Sequence, residues 1–247
     1  MISSQQPLIR VVIAAAGQGT RSGLSYPKTL FKIRNTPIIV RICEALSQYD
    51  KSPSIIVAPD WKEEIQNTLI QHGIDAELIN QSKPLGMGDA LLQYENSEFY
   101  KDAEHILLIW GDIPFIQNET VEEMVKIHLI KKNTFTFPTI ESNSAYTFVS
   151  RDDSGDVLEL IETRELGIKK PQPGERDIGL FIFKKDPIFD ILKEDLPNRL
   201  GKYTNEHGFL YLVSYLYQRG FKIEGLNIAT EMDLVSFNSI DDISSYL

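Results

Sequence analysis

The chain has 247 residues, 35 acidic side chains against 25 basic ones and a formal net charge of −10. Hydrophobic residues make up 42% and charged residues 24%, proportions that let a chain of this length bury a sizeable core and exclude a disordered one. Its apolar runs fall far short of the roughly 18 residues that a membrane-spanning helix needs, and an acidic pI of about 5.0 argues against a nucleic-acid binder. The single cysteine, Cys43, excludes an internal disulfide, and residues 1–7 lack the basic and apolar regions of an export signal, so a reducing cytoplasm is the expectation.

In chain order, residues 9–16 form a short, β-branched, continuously apolar run that ends in Gly17-Gln18-Gly19. That is the pattern of a buried central strand running into a tight loop. Bases gather here: residues 1–50 hold Arg10, Arg21, Lys28, Lys32, Arg34 and Arg41 against Glu44 and Asp50. An anionic small ligand near the start would explain this, and chance segregation is the alternative. Thr36 as N-cap and Pro37 as first helical residue open a helix over 38–46. A buried strand follows at 54–58. Asp60 and Glu63 form a capping-box-like start for a helix to about His72, stopped by Gly73. Residues 77–80 read as a strand, 88–94 as a helix and 105–110 as another buried strand, which leads into Gly111-Asp112-Ile113-Pro114. Asn118 caps a helix through about Lys131. Strands alternating with helices at this spacing imply a mostly parallel sheet wrapped by helices.

After Asn133 the pattern changes. Residues 135–140 and 146–151 read as strands, and the turn at 152–156 leads into a strand at 157–162, so a hairpin is added to the α/β core. Residues 163–174 are polar, contain Pro171 and Pro173, and read as a loop or flap. A buried strand at 178–183, a helix opening at Asp186-Pro187, a helix over 210–218 ended by Gly220 and a last strand at 223–228 complete the order. Neither a linker nor an internal repeat interrupts residues 1–247, which read as one domain with an embedded subregion.

Several chemistries are absent. No G-x-S-x-G elbow exists. His72, His105, His128 and His207 are scattered, with none at ligand spacing from another, and each reads as a surface or packing residue. Cys43, beside Ile42 and Leu46 in a helical pattern, reads as core. The acidic run 152–156 fails the spacing of a calcium loop and reads as a turn. What stands out is the segment Ala14-Ala15-Ala16-Gly17-Gln18-Gly19-Thr20-Arg21, then Pro27-Lys28 and Leu30. Without Cβ atoms, Gly17 and Gly19 let backbone N–H groups approach phosphate oxygens. Arg21 offers a planar fork of donors and Lys28 a compact charge. The loop is neither a Walker A motif nor the dinucleotide fingerprint, whose third glycine should fall at Ser22. Read alone, an ordinary strand-end turn with surface bases is the alternative.

Gly17-x-Gly19-Thr20-Arg21 with Pro27-Lys28-x-Leu30 resembles the signature of the sugar-1-phosphate nucleotidyltransferases, and in particular the uridyltransferase half of the bifunctional N-acetylglucosamine-1-phosphate uridyltransferases. Further motifs follow in the family's order. Gln81 with Leu85-Gly86-Met87-Gly88 resembles its base-binding segment. The run from Leu107 through Trp110-Gly111-Asp112 to Pro114 resembles its metal-aspartate loop, with Trp110 where an aromatic is expected. The hairpin strand ending at Glu162 resembles one that closes on a sugar-contacting glutamate. Asp177-Ile178-Gly179 stands where the family has Asn-Thr-Gly, and Asn238 where a late asparagine helps bind metal. The resemblance runs from about Val11 to Asn238 and is weak over 184–210. The family's hexapeptide-repeat acetyltransferase half has no counterpart in these 247 residues.

The resemblance implies a Rossmann-like, mostly parallel mixed sheet with helices on both faces, the nucleotide-diphospho-sugar transferase fold, and an inserted β-hairpin for the sugar. It divides the chain into a nucleotide-binding half, about 8–132, and a sugar-binding half, about 133–247. The implied reaction joins a nucleoside triphosphate, UTP by the resemblance, to a sugar 1-phosphate (N-acetylglucosamine 1-phosphate or a related hexose 1-phosphate) and releases pyrophosphate, with Mg²⁺ as cofactor and no nucleic-acid or membrane partner. Arg21, Lys28 and Asp112 would be catalytic. Ala15, Ala16, Gly17, Gly19, Thr20, Gln81 and Gly86 would bind the nucleotide. Trp110, Thr147, Glu162 and Asp177 would face the sugar, and Asp112 and Asn238 would hold the metal. The attacking phosphate is already anionic near neutral pH, its second pKa being about 6, so no side-chain base is required.

Each role has a plainer alternative. Asp112 could be a strand exit, Gln81 a surface loop residue, Glu162 an exposed hairpin residue, and Asn238 the cap of a helix over 239–246. Thr147 stands where the family has a glycine, and Asp177 where it has an amide. An ionised Asp only accepts hydrogen bonds, so an altered sugar preference is expected. The competing readings are a relative with another base or acceptor (a cytidylyltransferase or a molybdopterin-type guanylyltransferase), a catalytically silent nucleotide-sugar-binding protein, and, more distantly, a Rossmann oxidoreductase.

Overall fold

A computed structural model describes residues 7–17, 23–168, 170, 172–195 and 199–247. Strand β1 (Ile9–Ala14) buries Val11, Val12 and Ile13 completely, as β-branched residues do in a strand covered on both faces. A two-residue ladder, β2 (Lys32–Ile33) with β3 (Thr36–Pro37), turns through Arg34 and Asn35, both at positive φ. It leads into α1 (Ile38–Leu46), whose N-cap position is Pro37, so the expected Thr36 cap is not made. The Ile38 N–H goes instead to the Phe31 carbonyl at 3.0 Å. Within α1, burial pushes the Cys43 thiol up to about 12, which suits a packing cysteine.

β4 (Ser54–Val57) is buried throughout. A 3-10 turn, Pro59–Trp61, then takes up Asp60, and α2 (Lys62–Gln71) starts without a side-chain cap. Gly73 follows it at φ +69°, the left-handed stop that glycine provides. β5 (Glu77–Asn80), α3 (Met87–Leu92), β6 (His105–Trp110) and α4 (Asn118–Lys131) follow the expected order. The N-cap position of α4 is Gln117 rather than Asn118. Its N–H donates to Asp233 Oδ1 at 2.7 Å, a cap supplied from the far end of the chain.

In the second half, β7 (Phe135–Ala145) is longer than expected, and β8 (Thr147–Arg151) pairs with β9 (Val157–Glu162) as the expected hairpin. The polar stretch read as a loop over 163–174 holds a 3-10 turn, Thr163–Leu166, and the start of β10 (Gln172–Asp177). β10 pairs antiparallel with β7 at an irregular edge between Gln172 and Gly174, the kind of place where a sheet tolerates Pro173. Ile178 and Gly179 turn the chain into β11 (Leu180–Lys184). α5 (Lys185–Asp195), α6 (Leu212–Gln218), β12 (Ile223–Asn227) and α7 (Ile240–Ile243) complete the chain.

Eight strands form one mixed, largely parallel sheet in the order β10-β7-β11-β6-β1-β4-β5, with β12 alongside β7. β1, β4, β5 and β6 are parallel, and β11 joins the two halves by running antiparallel to both β6 and β7. One face carries α1, α2 and α4 over Val11, Ile13, Leu107 and Ile109. The other carries α3, α5, α6 and the hairpin over Val12, Leu108, Phe135 and Phe181. The parallel strands thus end together at one edge, where α/β sheets place their ligands. Among the described residues, no helix is long and apolar enough to cross a membrane. Two histidines read as unconnected meet at the opposite edge: His105 Nδ1 lies 2.9 Å from buried His128 Nε2, and His128 Nδ1 lies 2.9 Å from Thr136 Oγ1.

Candidate active site

Three of the sequence-predicted residues converge where β1 and β6 end. Lys28 Nζ lies 3.4 Å from Asp112 Oδ2 and 3.3 Å from Asn238 Oδ1. The chain builds this meeting from apolar and backbone contacts. Gly111 donates its N–H to the Ala14 carbonyl at 2.9 Å, and a Cβ there would sit 3.0 Å from that oxygen, so Asp112 emerges directly beside the strand that feeds the glycine loop. Phe237 donates its N–H to the Asp112 carbonyl at 2.8 Å. Its buried ring lies 4.7 Å from that of Phe31, just beyond the turn that carries Lys28. Ser236 Oγ accepts from Asn238 Nδ2 at 3.1 Å, which directs Oδ1 at the lysine. Asn238 is not the cap of α7: Ser239 is, in a capping box with Asp242. Lys28 is not a loosely exposed base, since its side chain is only 13% accessible.

Ala15 and Ala16 are buried and Gly17 is exposed. A Cβ on Gly17 would meet nothing within 4 Å among the described residues. Gly19, Thr20 and Arg21, named from the sequence for phosphate binding, lie outside the described residues.

Gln81, at the end of β5, is buried. Its Nε2 donates to the Gly86 carbonyl at 3.1 Å and to Asp89 Oδ2 at 2.8 Å. Both partners are acceptors, which fixes the amide's orientation. Asp89 carried no recognisable signal in the sequence. Gly86, at φ +110°, and Gly88 lie against the backbone of His207 and Gly208: a Cβ on either would come within 2.5 Å of a carbonyl oxygen there. The His207 N–H donates to the Leu85 carbonyl at 2.5 Å, and the His207 carbonyl accepts from Gly88 N at 3.0 Å. Sequence reasoning missed this clamp as well, because backbone pairing between distant loops leaves no residue pattern.

Thr147 and Asp177, the two expected departures, are bonded to one another. Thr147 Oγ1 donates to Asp177 Oδ1 at 2.5 Å, and the Gly179 N–H donates to Oδ2 at 2.8 Å. Asp177 is 1% exposed. Trp110 backs this turn: its N–H donates to the Gly179 carbonyl at 3.1 Å, and a Cβ on Gly179 would come 2.6 Å from its ring. The Trp110 indole N–H is buried and has no hydrogen-bond partner among the described residues. Glu162 sits opposite Thr147 in the hairpin register and is ion-paired with Arg164, which also reaches Glu206 Oε2 at 3.2 Å. Burial pushes the Glu162 carboxyl up, Arg164 opposes that, and the Asp177 and Glu165 carboxylates add to the rise. Beside Glu162 opens a cavity of about 360 Å³, lined by residues of β9, the following turn and the 199–214 segment.

Comparison with known proteins gives a family and a fold. The model of the MobA-like NTP transferase domain matches residues 11–170. The bifunctional protein GlmU of Pseudothermotoga lettingae is 25% identical over 225 residues, 89% of this chain and 49% of its own length. That of Carboxydothermus hydrogenoformans is 27% identical over 232 residues, 92% of this chain and 49% of its own. The chain spans about half the length of these curated relatives. The structure of the inositol-1-phosphate CTP transferase from T. maritima superposes with a TM-score of 0.69 at 13% identity, covering 90% of this chain and 86% of that one; this likeness speaks for the fold alone.

Proposed function

This chain belongs to the MobA-like NTP transferase family, and from that premise we propose that it transfers a nucleotidyl group from UTP to a sugar 1-phosphate, forming a nucleotide sugar and releasing pyrophosphate. The observation that carries the reading is the convergence of Asp112 and Asn238 oxygens on the Lys28 ammonium. Two hard oxygen donors directed at one centre of positive charge would suit a divalent cation such as Mg²⁺. Among the described residues, no group of three His, Cys, Asp or Glu could hold a metal, so the donor set suits Mg²⁺ sharing phosphate oxygens better than an all-protein metal site. Asp112 and Asn238 would hold it. When bound, it supplies charge neutralisation for the departing pyrophosphate.

The protein's own residues bring two anions together. Lys28 offsets charge where the acceptor phosphate approaches, and the backbone of 15–17 with Gly19, Thr20 and Arg21 cradles the triphosphate. An oxygen of the sugar phosphate attacks the α-phosphorus, the bond from that phosphorus to the bridging oxygen breaks, and pyrophosphate leaves with the electron pair. Glu162 accepts hydrogen bonds from sugar hydroxyls.

Gln81 supports a base-binding role for the 81–88 segment. Its amide N–H groups are committed to Gly86 and Asp89, which leaves its carbonyl oxygen to meet a base. That oxygen accepts from the ring N–H of uracil or guanine and equally from the amino group of cytosine or adenine, so UTP is proposed on the likeness of the 81–88 segment to the uridyltransferases. The acceptor end differs from that of an N-acetylglucosamine enzyme: both Asp177 oxygens accept hydrogen bonds within the protein, and a donor for an acetamido oxygen is lost there. Sugars rich in hydroxyls are therefore favoured. The experiment is a matrix of four nucleoside triphosphates against sugar 1-phosphates with Mg²⁺, read by pyrophosphate release. UTP with a hexose 1-phosphate should turn over, and excess chelator should abolish the rate. No release with any pair, or full turnover by Asp112→Ala, overturns the proposal.

A further inference from the structure

We infer that Arg164 is a positioning residue for the acceptor, holding the Glu162 carboxylate in place and tying it through Glu206 to the loop that clamps the base-binding segment. The inference rests on the reading of Glu162 as the partner of the acceptor's hydroxyls.

Arg164 lies in the 3-10 turn that directly follows β9. One guanidinium makes two ion pairs, through Nε to Glu162 and through Nη1 to Glu206 at 3.2 Å. The planar fork of arginine can span two carboxylates in this way, whereas the ammonium of lysine is a single point charge. Glu162 needs such support. Its side chain is only 18% exposed, and the carboxylates of Asp177 and Glu165 oppose its charge. Without the guanidinium, a half-buried carboxylate among other carboxylates protonates or turns to solvent. Either change ends its service to a sugar hydroxyl.

Glu206 belongs to the loop that grips the nucleotide half. Its carbonyl accepts from Gly201 N at 2.8 Å, and Leu200 bridges to His207. His207 in turn pairs with Leu85 and Gly88 through its backbone. Glu165 fastens the same loop from the hairpin side, accepting from Tyr203 N at 3.2 Å. A continuous run of bonded groups thus leads from the Gln81 amide through Gly86 and Gly88, His207 and Glu206 to Arg164 and Glu162. The guanidinium is the joint between the base site and the acceptor site.

The test compares wild type, Arg164→Gln, Arg164→Lys and Glu206→Gln by steady-state kinetics, with acceptor binding measured separately by calorimetry. Arg164→Gln should raise the acceptor KM by about tenfold or more, the scale of losing a charge-assisted hydrogen bond. The triphosphate KM and the melting temperature should stay close to wild type. Arg164→Lys should recover part of the loss. Glu206→Gln, on an exposed loop, should raise the acceptor KM by roughly threefold without itself meeting the sugar. An unchanged acceptor KM in Arg164→Gln, a parallel rise of both KM values with a fall in melting temperature, or no recovery with lysine overturns the inference while leaving the reaction intact. A wild type that neither binds nor turns over any sugar 1-phosphate removes the functional reading and the inference with it.

Discussion

Lys28 and the Thr147–Asp177 pair are the residues on which the chemistry can be tested most directly. Lys28→Ala should lower kcat/KM by about 10²–10³-fold, the usual cost of one positioned electrostatic donor, and Arg21→Ala should act in the same direction. Circular dichroism should show little change in Lys28→Ala stability, because Asp112 is partly exposed and water can take the lysine's place. Wild-type turnover in both variants would end the phosphate-loop reading. Thr147 and Asp177 behave differently, since they answer each other within the protein. Thr147→Val removes the donor to a carboxylate that is 1% exposed and should cost about 1–3 kcal/mol in urea unfolding. Asp177→Asn should cost less: the new amide oxygen can still accept from Gly179 N–H while the amide N–H meets the Thr147 oxygen, a hydroxyl that both donates and accepts. An Asn variant as unstable as the Val variant would contradict this exchange of roles.

At the scale of elements, the clamp between the Leu85–Gly88 stretch and the His207–Gly208 backbone makes a steric prediction. Gly88→Ala would put a Cβ 2.5 Å from the Gly208 carbonyl oxygen, and backbone cannot yield as a side-chain tip can. The variant should raise the triphosphate KM by about tenfold and increase amide exchange in α3, an overpacking cost of about 1–3 kcal/mol. Unaltered nucleotide binding would show that the clamp does not shape the base site. The elements themselves were legible where hydrophobic pattern and length agree: the buried runs that became β1, β4, β5 and β6 stand where expected, because β-branched stretches bounded by turns have few other uses. Helix starts were less legible. Thr36 joined a ladder with β2, and Asp233 reached across the fold to cap α4, so tertiary partners displaced the local ones. β10 was hidden because Pro173 and Gly174 signal a loop, yet an edge strand accepts both. The Lys28–Asp112–Asn238 cluster was traceable because its members lie in ordered motifs. Asp89 and Arg164 were not, because they act through partners that spacing alone cannot identify.

At the scale of the whole molecule, one sheet joins the two parts of the chain through β11, and its stability should report on a site far from the candidate active site. His105 and His128 face each other at the edge opposite the active site, where the first residue of β6 meets α4, with Thr136 of β7 completing the contact. Burial, the neighbouring His105 and the Lys184 ammonium push His128 down from 6.5 to about 3, and burial lowers His105 as well. The folded state therefore keeps His128 neutral over a range in which the unfolded chain binds a proton. The stabilisation is full above pH 6.5 and is lost as pH falls from 6.5 toward 3, by up to about 1.4 kcal/mol for each unit. Urea unfolding between pH 7.5 and 4.5 should show this decline. His128→Gln should be less stable at pH 7.5, since Thr136 and His105 lose a fitted partner, but its stability should fall less steeply with acid. If wild type and variant lost stability in parallel, carboxylates elsewhere in this acidic chain would be governing its acid sensitivity, and the histidine pair would be only a packing contact.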